Sequence, residues 1–331
     1  MINKLISLVS VLIGVNRDDG SLKESIKSIT NQTYKNLQII IVNDGSCKNV
    51  SNIINSFNDS RIDLIESAKI GLTKALNLGL KNAKGHYIAR HDAGDFSLKN
   101  RIAKQVSFLS NNPSIAICGT FVSELSIDGI ELGIIKYPLK NDLIKKKIIL
   151  QNAFCHGSVM ITKKVITSLK GYREKFYTSQ DYDLWLRLIE KYSVANIDLP
   201  LYKRIISPDS ISFKNKDTQK RFADYALECF FARKRNLSEP DMPKNILKEQ
   251  SLSFAPNSKK DCDYNFYCGR RLYASGEMSK SREFFLKSLS FRNINIVKII
   301  FIFLTILPKN LRNFLGEIWF TIKEKKKINI N

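Results

Sequence analysis

The first 110 residues alternate between short apolar runs and segments with apolar residues at helical spacing. The apolar runs predict strands buried on both faces, and they are Ile6–Val15, Leu37–Val42, Ile62–Ile65 and His86–Arg90. The segments between them predict helices, and they are Ser21–Thr30, Asn49–Phe57 and Leu72–Asn82. Because strands that alternate with helices form parallel sheets, we predict an α/β fold with a doubly wound sheet and helices on both faces.

The middle of the chain carries a different pattern. Residues 115–135 predict short strands and turns, and the apolar segment Ala153–Thr162 predicts one more buried strand. An amphipathic segment follows, in which Thr178 or Ser179 can cap the start of a helix.

The last third of the chain predicts helices. Asp217–Arg235 is amphipathic, and residues 236–257 are polar and loop-like. Apolar residues then return at helical spacing in Tyr264–Ser275, Lys280–Leu289, Ile294–Leu307 and Leu311–Ile322. The first two of these segments resemble a single tetratricopeptide-type helix pair. We therefore predict an α/β domain over residues 1–215 and a helical C-terminal region over residues 216–331.

Composition and charge narrow the class of partner. The chain is 44% hydrophobic and 25% charged, as in folded proteins, but its formal net charge is +22. This excess favours an anionic membrane surface, nucleic acid or a phosphorylated substrate, although a lysine-rich proteome would also produce it. The basic residues are not interleaved with aromatic residues, so we do not expect nucleic acid to bind. The last 100 residues contain 20 basic and 9 acidic side chains.

The cysteines and apolar segments bear on location. The cysteines have no C-x-x-C spacing and predict reduced thiols, and they are Cys47, Cys118, Cys155, Cys229, Cys262 and Cys268. Met1–Gly14 lacks the basic start of a signal peptide, and Ile294–Leu307 is too short to span a bilayer. We predict a cytoplasmic protein that is peripheral on the inner face of the plasma membrane, held there by Ile294–Leu307 and the basic residues around it. The alternative is that this segment is a helix buried against the helix pair.

Acidic residues follow two of the predicted strands. Asp44 comes after the second strand, and Asp92 and Asp95 come after the fourth. Each could simply form a turn, but the carboxyl ends of parallel strands share one edge, where ligands bind. Asp181 lies in the first turn of a predicted helix, where it either complements the helix dipole or acts in a site.

Four segments resemble the inverting family 2 glycosyltransferases of the GT-A fold. They are Val9–Val15, Ser25–Ser46 with its Asp-Gly-Ser turn, Gly71–Asp95, and Thr178–Arg187. The resemblance covers roughly residues 7–215 and preserves the order of the motifs. It implies an enzyme that moves a sugar from a nucleotide sugar, with UDP as the usual nucleotide, to an acceptor hydroxyl.

The resemblance also implies roles for individual residues. Asp44, with Gly14 and Val15, is expected to contact the nucleotide, and Asp92 the ribose and a divalent metal. Asp95 is a second candidate ligand for that metal, Mg²⁺ or Mn²⁺, which would neutralise the leaving diphosphate. Asp181 matches the general base that deprotonates the acceptor. Further candidates on the acceptor side are His156, Asp183 and Arg187, although Arg187 could equally form an (i, i+4) pair with Asp183.

This chain departs from the family pattern at three places. Gly14, Asn16 and Arg17 replace the usual Pro, Tyr and Asn after the first strand. Gly94 replaces the acidic residue most often bound to metal, which leaves Asp92 and Asp95 as candidate ligands. Gln180 replaces the Glu that usually precedes the base.

These patterns predict sugar transfer to a glycan or lipid-linked acceptor in bacterial surface polysaccharide, lipopolysaccharide or capsule synthesis. One alternative is a degenerate transferase domain that serves as a membrane-associated scaffold, because Gly94 breaks the acidic motif. A nucleotidyltransferase is disfavoured, since it would carry a glycine-rich phosphate loop with a lysine after the first strand.

Overall fold

The computed structural model describes residues 7–18, 20–45, 48–210, 216–243, 257–289, 296–308 and 310–311. The strands are β1 Val9–Val15, β2 Leu37–Asp44, β3 Ile62–Ser67, β4 Tyr87–Arg90, β5 Phe96–Ser97, β6 Ile115–Ser126, β7 Glu131–Ile135, β8 Met160–Thr162 and β9 Ser193–Ile206. The helices are α1 Leu22–Thr30, α2 Lys48–Asn55, α3 Leu72–Asn82, α4 Arg101–Asn111, α5 Asn141–Ile148, α6 Lys163–Ser168, α7 Gln180–Lys191, α8 Lys216–Lys234, α9 Asn257–Ser275, α10 Met278–Lys287 and α11 Ile296–Leu304.

The strands of the described residues form one mixed sheet in the order β3-β2-β1-β4-β8-β6-β9-β5, and β7 pairs with β6. The first four strands in this order are parallel, as the alternation of strands and helices predicts. The next strand, β8, runs antiparallel to both β4 and β6. The parallel half therefore has a single carboxyl edge, while the antiparallel half extends the sheet beyond it.

Helices cover both faces of the parallel strands. On one face, Leu12, Ile40 and Val42 pack in a core with residues of α3, α7 and α8. On the other face, Val11 and Ile41 pack with residues of α1, α2 and α4. Neighbouring residues of one strand thus enter opposite cores, which explains why these strands are apolar throughout.

The segment Ala153–Thr162 differs from the sequence prediction. Only Met160–Thr162 is a strand, and His156–Ser158 form a single 3₁₀ turn before it. The whole segment is nevertheless largely buried, with Ala153, Phe154 and Val159 in the core. Its apolar pattern reported burial correctly, but burial alone does not distinguish a strand from a packed turn.

The contacts divide the chain into two compact units. The first comprises Met1–Ile205 and Asn215–Ser253, and the second comprises Ile206–Lys214 and Phe254–Asn331. This division differs from the predicted boundary at residue 215, because α8 belongs to the first unit. Its buried residues, including Phe222 and Phe230, join the core that contains α7.

The second unit contains the helices α9, α10 and α11. The first two pack closely at Gly269, whose carbonyl accepts a hydrogen bond from the Ser281 hydroxyl (2.8 Å). The predicted helix Leu311–Ile322 and the basic segment Lys323–Lys327 lie outside the described residues, apart from Leu311 itself. Within the described ranges no helix combines the length and the hydropathy needed to cross a bilayer.

Candidate active site

The carboxyl edge of the parallel strands gathers the residues predicted to bind a nucleotide. In the β1–β2 register Gly14 lies opposite Val42 and Val15 opposite Asn43, one residue before Asp44. A Cβ on Gly14 would lie 3.0 Å from a Leu72 methyl group, so the start of α3 packs closely against the end of β1. Gly14, Val15 and Asp44 are therefore neighbours at this edge.

Asp44 is 3% exposed and holds the loop before α3. Its Oδ1 accepts hydrogen bonds from the amides of Ile70 (2.6 Å) and Gly71 (3.1 Å), and its Oδ2 lies 3.0 Å from the Gly71 amide. Gly71 has a φ of +89°, so this turn favours glycine. Because a carboxylate offers about four lone-pair positions, these contacts leave acceptor capacity for a ligand.

Asp92 lies just beyond the end of β4 and forms an ion pair with Arg90. Arg90 is 2% exposed and also donates to the Leu12 carbonyl of β1, while the Asp92 side chain is 38% exposed. Burial is the largest single influence and acts to raise the pKa of Asp92, but the Arg90 charge and other nearby groups together hold that pKa below its usual value. Asp92 is thus a partly exposed anion anchored to the sheet.

His156 links Asp92 to a second part of the chain. Its Nε2 accepts a hydrogen bond from Arg90 Nε (3.2 Å) and lies 2.8 Å from the Tyr172 hydroxyl. Its Nδ1 lies 4.0 Å from Asp92 Oδ1. Burial and the Arg90 charge lower the pKa of His156, so the ring is neutral. Because Nε2 is the acceptor, the proton of the neutral ring is on Nδ1, on the side of Asp92.

Asp181 lies close enough to this histidine for its charge to act on the ring. It is partly buried in the first turn of α7, and its Oδ2 accepts a hydrogen bond from Asn152 Nδ2 (3.1 Å). The charges of Asp92 and Asp181 both act on the pKa values of His156 and Tyr172. The structure therefore brings together two carboxylates that are 89 positions apart in the chain.

Asp95 has a different environment from Asp92. Its side chain is 7% exposed, and its Oδ1 accepts a hydrogen bond from the Ile205 amide of β9 (2.9 Å). Burial and the nearby Asp92 charge raise the pKa of Asp95 to about 8. Near neutral pH this carboxyl is therefore mostly protonated.

The metal-binding prediction fits Asp92 better than Asp95. Asp92 is a partly exposed carboxylate, and one or two such ligands with substrate phosphates are sufficient for Mg²⁺. Asp95 is a poor ligand while it is protonated and bonded to β9. Gly94 has a φ of +94°, so the family's usual acidic residue would be strained there. Among the described residues, no group of three His, Cys, Asp or Glu side chains is arranged to hold a metal.

Asp183 and Arg187 hold α7 to the segment before it. Asp183 is 1% exposed and pairs with Arg173 and with Arg187, whose Nε lies 3.0 Å from its Oδ2. Arg187 also donates to the carbonyls of Leu169 (2.6 Å) and Gly171 (2.9 Å). The (i, i+4) pair weighed from the sequence is therefore present, and these contacts explain both residues structurally. The predicted acceptor-side role gains no support from them.

Several residues of the site were not singled out from the sequence. Arg90, Asn152, Tyr172 and Tyr202 lie in strands or loops whose patterns indicate burial and nothing more. The Tyr202 hydroxyl accepts a hydrogen bond from the Asp92 amide (3.0 Å). Arg90 did carry a signal, because a charged residue that closes a buried apolar strand requires a partner.

His91 is a buried residue that helps to hold the loop from Asp92 to Asp95. It is fully buried, and its ring nitrogens contact the Ser25 hydroxyl (2.9 Å) and the Ser97 hydroxyl (3.1 Å). The Ser25 hydroxyl also accepts a hydrogen bond from the Gly94 amide (3.2 Å). Burial and the nearby Arg101 charge lower the pKa of His91 to about 3. A neutral histidine is thus built into the support of the Asp92–Asp95 loop.

This histidine predicts a loss of stability in acid. The unfolded chain takes up a proton at His91 below its ordinary pKa of 6.5, whereas the folded chain does not until about pH 3. The contribution of His91 to folding stability is therefore fully present above pH 6.5, and it decreases as the pH falls from 6.5 toward 3. Between pH 7 and pH 5 we expect a loss of about 2 kcal/mol in the free energy of unfolding. Urea denaturation of the native chain and His91→Gln at both pH values measures it, and equal losses in the two proteins would contradict it.

Solved structures show which type of fold this is. The Staphylococcus aureus protein TarS, in a structure titled as a complex with UDP-GlcNAc, superposes with a TM-score of 0.53 at 14% identity. That match covers 85% of this chain and 88% of the TarS chain in that structure, which is titled as residues 1-349. The mannosyltransferase PcManGT of Pyrobaculum calidifontis, titled as a complex with GDP-Man and Mn²⁺, has a TM-score of 0.52 at 14% identity. This second match covers 82% of this chain and 75% of the PcManGT chain. The fold is the GT-A type predicted from the sequence.

The sequence comparisons identify the family. The model of Glycosyl transferase family 2 matches residues 10–168. The O-antigen biosynthesis glycosyltransferase WbnJ of Escherichia coli is 34% identical over 232 residues, which are 68% of this chain and 87% of WbnJ. This chain therefore belongs to glycosyltransferase family 2, and it is a glycosyltransferase.

Proposed function

We propose that this enzyme transfers a sugar, with inversion at the anomeric carbon, from a nucleoside diphosphate sugar to an acceptor hydroxyl. UDP is the expected nucleotide, and a glycan or lipid-linked acceptor of bacterial surface polysaccharide synthesis is the expected substrate. The observation that carries the proposal is that Asp92 and Asp181 both lie close enough to the His156–Tyr172 pair for their charges to act on it. O-antigen synthesis in the relative WbnJ supports the substrate class.

The donor is proposed to lie along the carboxyl edge of the parallel strands. Asp44 holds the loop that would border the base, and the lack of a side chain on Gly14 allows α3 to pack closely against the end of β1 beside it. Asp92 presents its carboxylate at the end of β4, where its pairing with Arg90 fixes its direction. A divalent cation, held by Asp92 together with the donor's phosphate oxygens, would neutralise charge on the leaving diphosphate.

Asp181 is proposed to be the general base. Asn152 holds one of its oxygens, which orients the carboxylate toward the acceptor. As the acceptor oxygen bonds to the anomeric carbon, its proton passes to Asp181, and the bond to the diphosphate breaks with its electron pair on the phosphate oxygen. A single displacement of this kind inverts the anomeric configuration. His156, which is neutral and bonded to Tyr172, is proposed to border the acceptor between the two carboxylates.

The cysteines are consistent with an enzyme of a reducing compartment. Cys118, Cys155, Cys229 and Cys262 are buried free thiols in the described part of the chain. Burial raises the pKa of the Cys118 and Cys155 thiols to about 12, so they are unreactive. This supports the proposed cytoplasmic location.

A donor screen tests the proposal. The full-length protein is incubated with UDP-, GDP- and dTDP-sugars, with Mg²⁺, with Mn²⁺ or with a chelator, and released nucleoside diphosphate is measured. We expect turnover with one nucleotide class and a decrease of at least about tenfold when the cation is removed. If no donor releases nucleoside diphosphate, the proposal is contradicted. Equal turnover with and without the chelator would show that the reaction does not need a divalent cation.

A further inference from the structure

Helix α11 of the second unit exposes a row of large apolar side chains. Ile296, Ile299, Ile300 and Phe303, with Ile306 just beyond the helix end, are between 43% and 72% exposed. Their spacing of three, four, seven and ten residues places them on one helical face. We call these five residues the apolar stripe.

The opposite face of α11 fixes this orientation. The ring of Phe301 packs at 5.6 Å from Phe266 and at 5.2 Å from Phe285, between centroids. Lys298 is buried, and its Nζ donates a hydrogen bond to the Ser288 carbonyl (2.7 Å). Rotating the helix to bury the stripe would break this bond and bring apolar residues in place of Lys298.

Contacts at the C-terminal end of α11 hold the helix in the same orientation. Arg282 of α10 donates to the Thr305 hydroxyl through Nε (3.1 Å) and to the Thr305 carbonyl (3.1 Å). The helix is therefore attached to the pair by Lys298, Phe301 and Thr305, and the apolar stripe faces outward. Since contiguous exposed apolar surface is uncommon on soluble domains, this arrangement indicates a partner.

The length of the helix limits what that partner is. Nine residues at 1.5 Å each extend about 13 Å, less than half of the roughly 30 Å hydrocarbon thickness of a bilayer. The stripe is thus suited to lie along an apolar boundary and is too short to cross one.

The charge of the surrounding sequence favours one partner. Besides the buried Lys298, residues 292–331 contain seven basic and two acidic side chains. A second copy of the chain would bring the same positive charge to the stripe, which opposes self-association. An anionic lipid surface combines an apolar boundary with negative charge, so it matches both features.

We propose that the apolar stripe inserts into the interface of an anionic bilayer, and that the positive charge of the flanking sequence attracts the protein to the lipid headgroups. The stripe belongs to the second unit, whereas the residues of the candidate active site belong to the first. The inference therefore holds whichever sugar and acceptor the enzyme uses.

Vesicle binding of the full-length protein tests this proposal. The vesicles contain phosphatidylcholine alone or mixed with phosphatidylglycerol in similar amounts, and co-sedimentation is measured at low and high salt. We expect binding to the mixed vesicles, weakened by salt, and a decrease of roughly tenfold in affinity for Phe303→Gln and for Ile306→Gln. The matched control is Ile127→Gln, because Ile127 is similarly exposed but belongs to the first unit. This variant should bind vesicles as the native chain does.

Thermal unfolding and sugar turnover in solution should be unchanged in all three variants, which separates lost binding from misfolding. Equal vesicle affinity of Phe303→Gln, Ile306→Gln and the native chain would overturn the proposal. Self-association in size-exclusion chromatography that the stripe variants abolish, without vesicle binding by the native chain, would overturn it in favour of a dimer interface.

Discussion

Asp181→Asn is expected to reduce kcat by about a thousandfold, the contribution of a well-placed general base. The amide retains the size of the side chain and can still contact Asn152, but it cannot accept the acceptor's proton. Donor binding should be unchanged, because Asp181 acts on the acceptor. Initial rates at saturating donor, together with calorimetric titration of the donor, measure the two quantities separately.

The control for this variant is Asp142→Asn. Asp142 is also an acidic residue in the first turn of a helix, α5, but it is exposed, and it accepts a hydrogen bond from Asn141 (3.0 Å). If Asp181 only complements its helix dipole, the two substitutions should have the same small effect on stability and none on turnover. That outcome, or full activity of Asp181→Asn, would exclude the base role.

The second large effect is expected at Asp92. Asp92→Asn should reduce kcat/KM by about a hundredfold or more, because an electrostatic contact to the leaving diphosphate is lost where charge develops. The loss should fall mainly on donor and cation affinity, in contrast to Asp181→Asn. Titration of the donor with and without Mn²⁺ measures this, and the cation should no longer strengthen donor binding in the variant.

Stability has to be measured alongside, since Arg90 is buried and loses its anionic partner in Asp92→Asn. Asp128→Asn, an exposed substitution in the turn between β6 and β7, serves as the control for a lost carboxylate. Unchanged cation-linked donor binding in a stable Asp92→Asn protein would contradict the proposed role. If the variant proves too unstable to assay, cation titration of the native chain at constant donor gives the same answer: donor affinity that does not change with Mn²⁺ contradicts the role.

The resemblance and the acidic pattern selected Asp44, Asp92 and Asp181, whose roles stay predictions. Asp44 and Asp92 were predictable because parallel strands end at one edge, so a residue just past one strand lies near the residue past another. Asp95 was not predictable in the same way. Whether it faces a cation or the Ile205 amide depends on where β9 passes, and β9 is about a hundred residues further along the chain.

The His156–Tyr172 pair shows the same difference. Nothing in the spacing of Arg90, His156 and Tyr172 indicates that their side chains meet, because their contacts depend on how β8 and α7 pack. Conversely, the sequence predicted Ala153–Thr162 as a strand since local apolar pattern reports burial. The packed turn at His156 places the imidazole ring next to Asp92. The predicted strand gave no reason to expect this contact.

By itself the sequence determined the alternation of strands and helices, the parallel carboxyl edge and the helical C-terminal segments, because these follow from local periodicity and burial. Only the tertiary structure decided which carboxylates are exposed, which are protonated and which are paired, since burial and long-range charge set those properties. It also decided that α11 turns the apolar stripe outward. An apolar helix is equally compatible with a buried position and with a surface, and here the buried Lys298 and its bond to Ser288 select the surface.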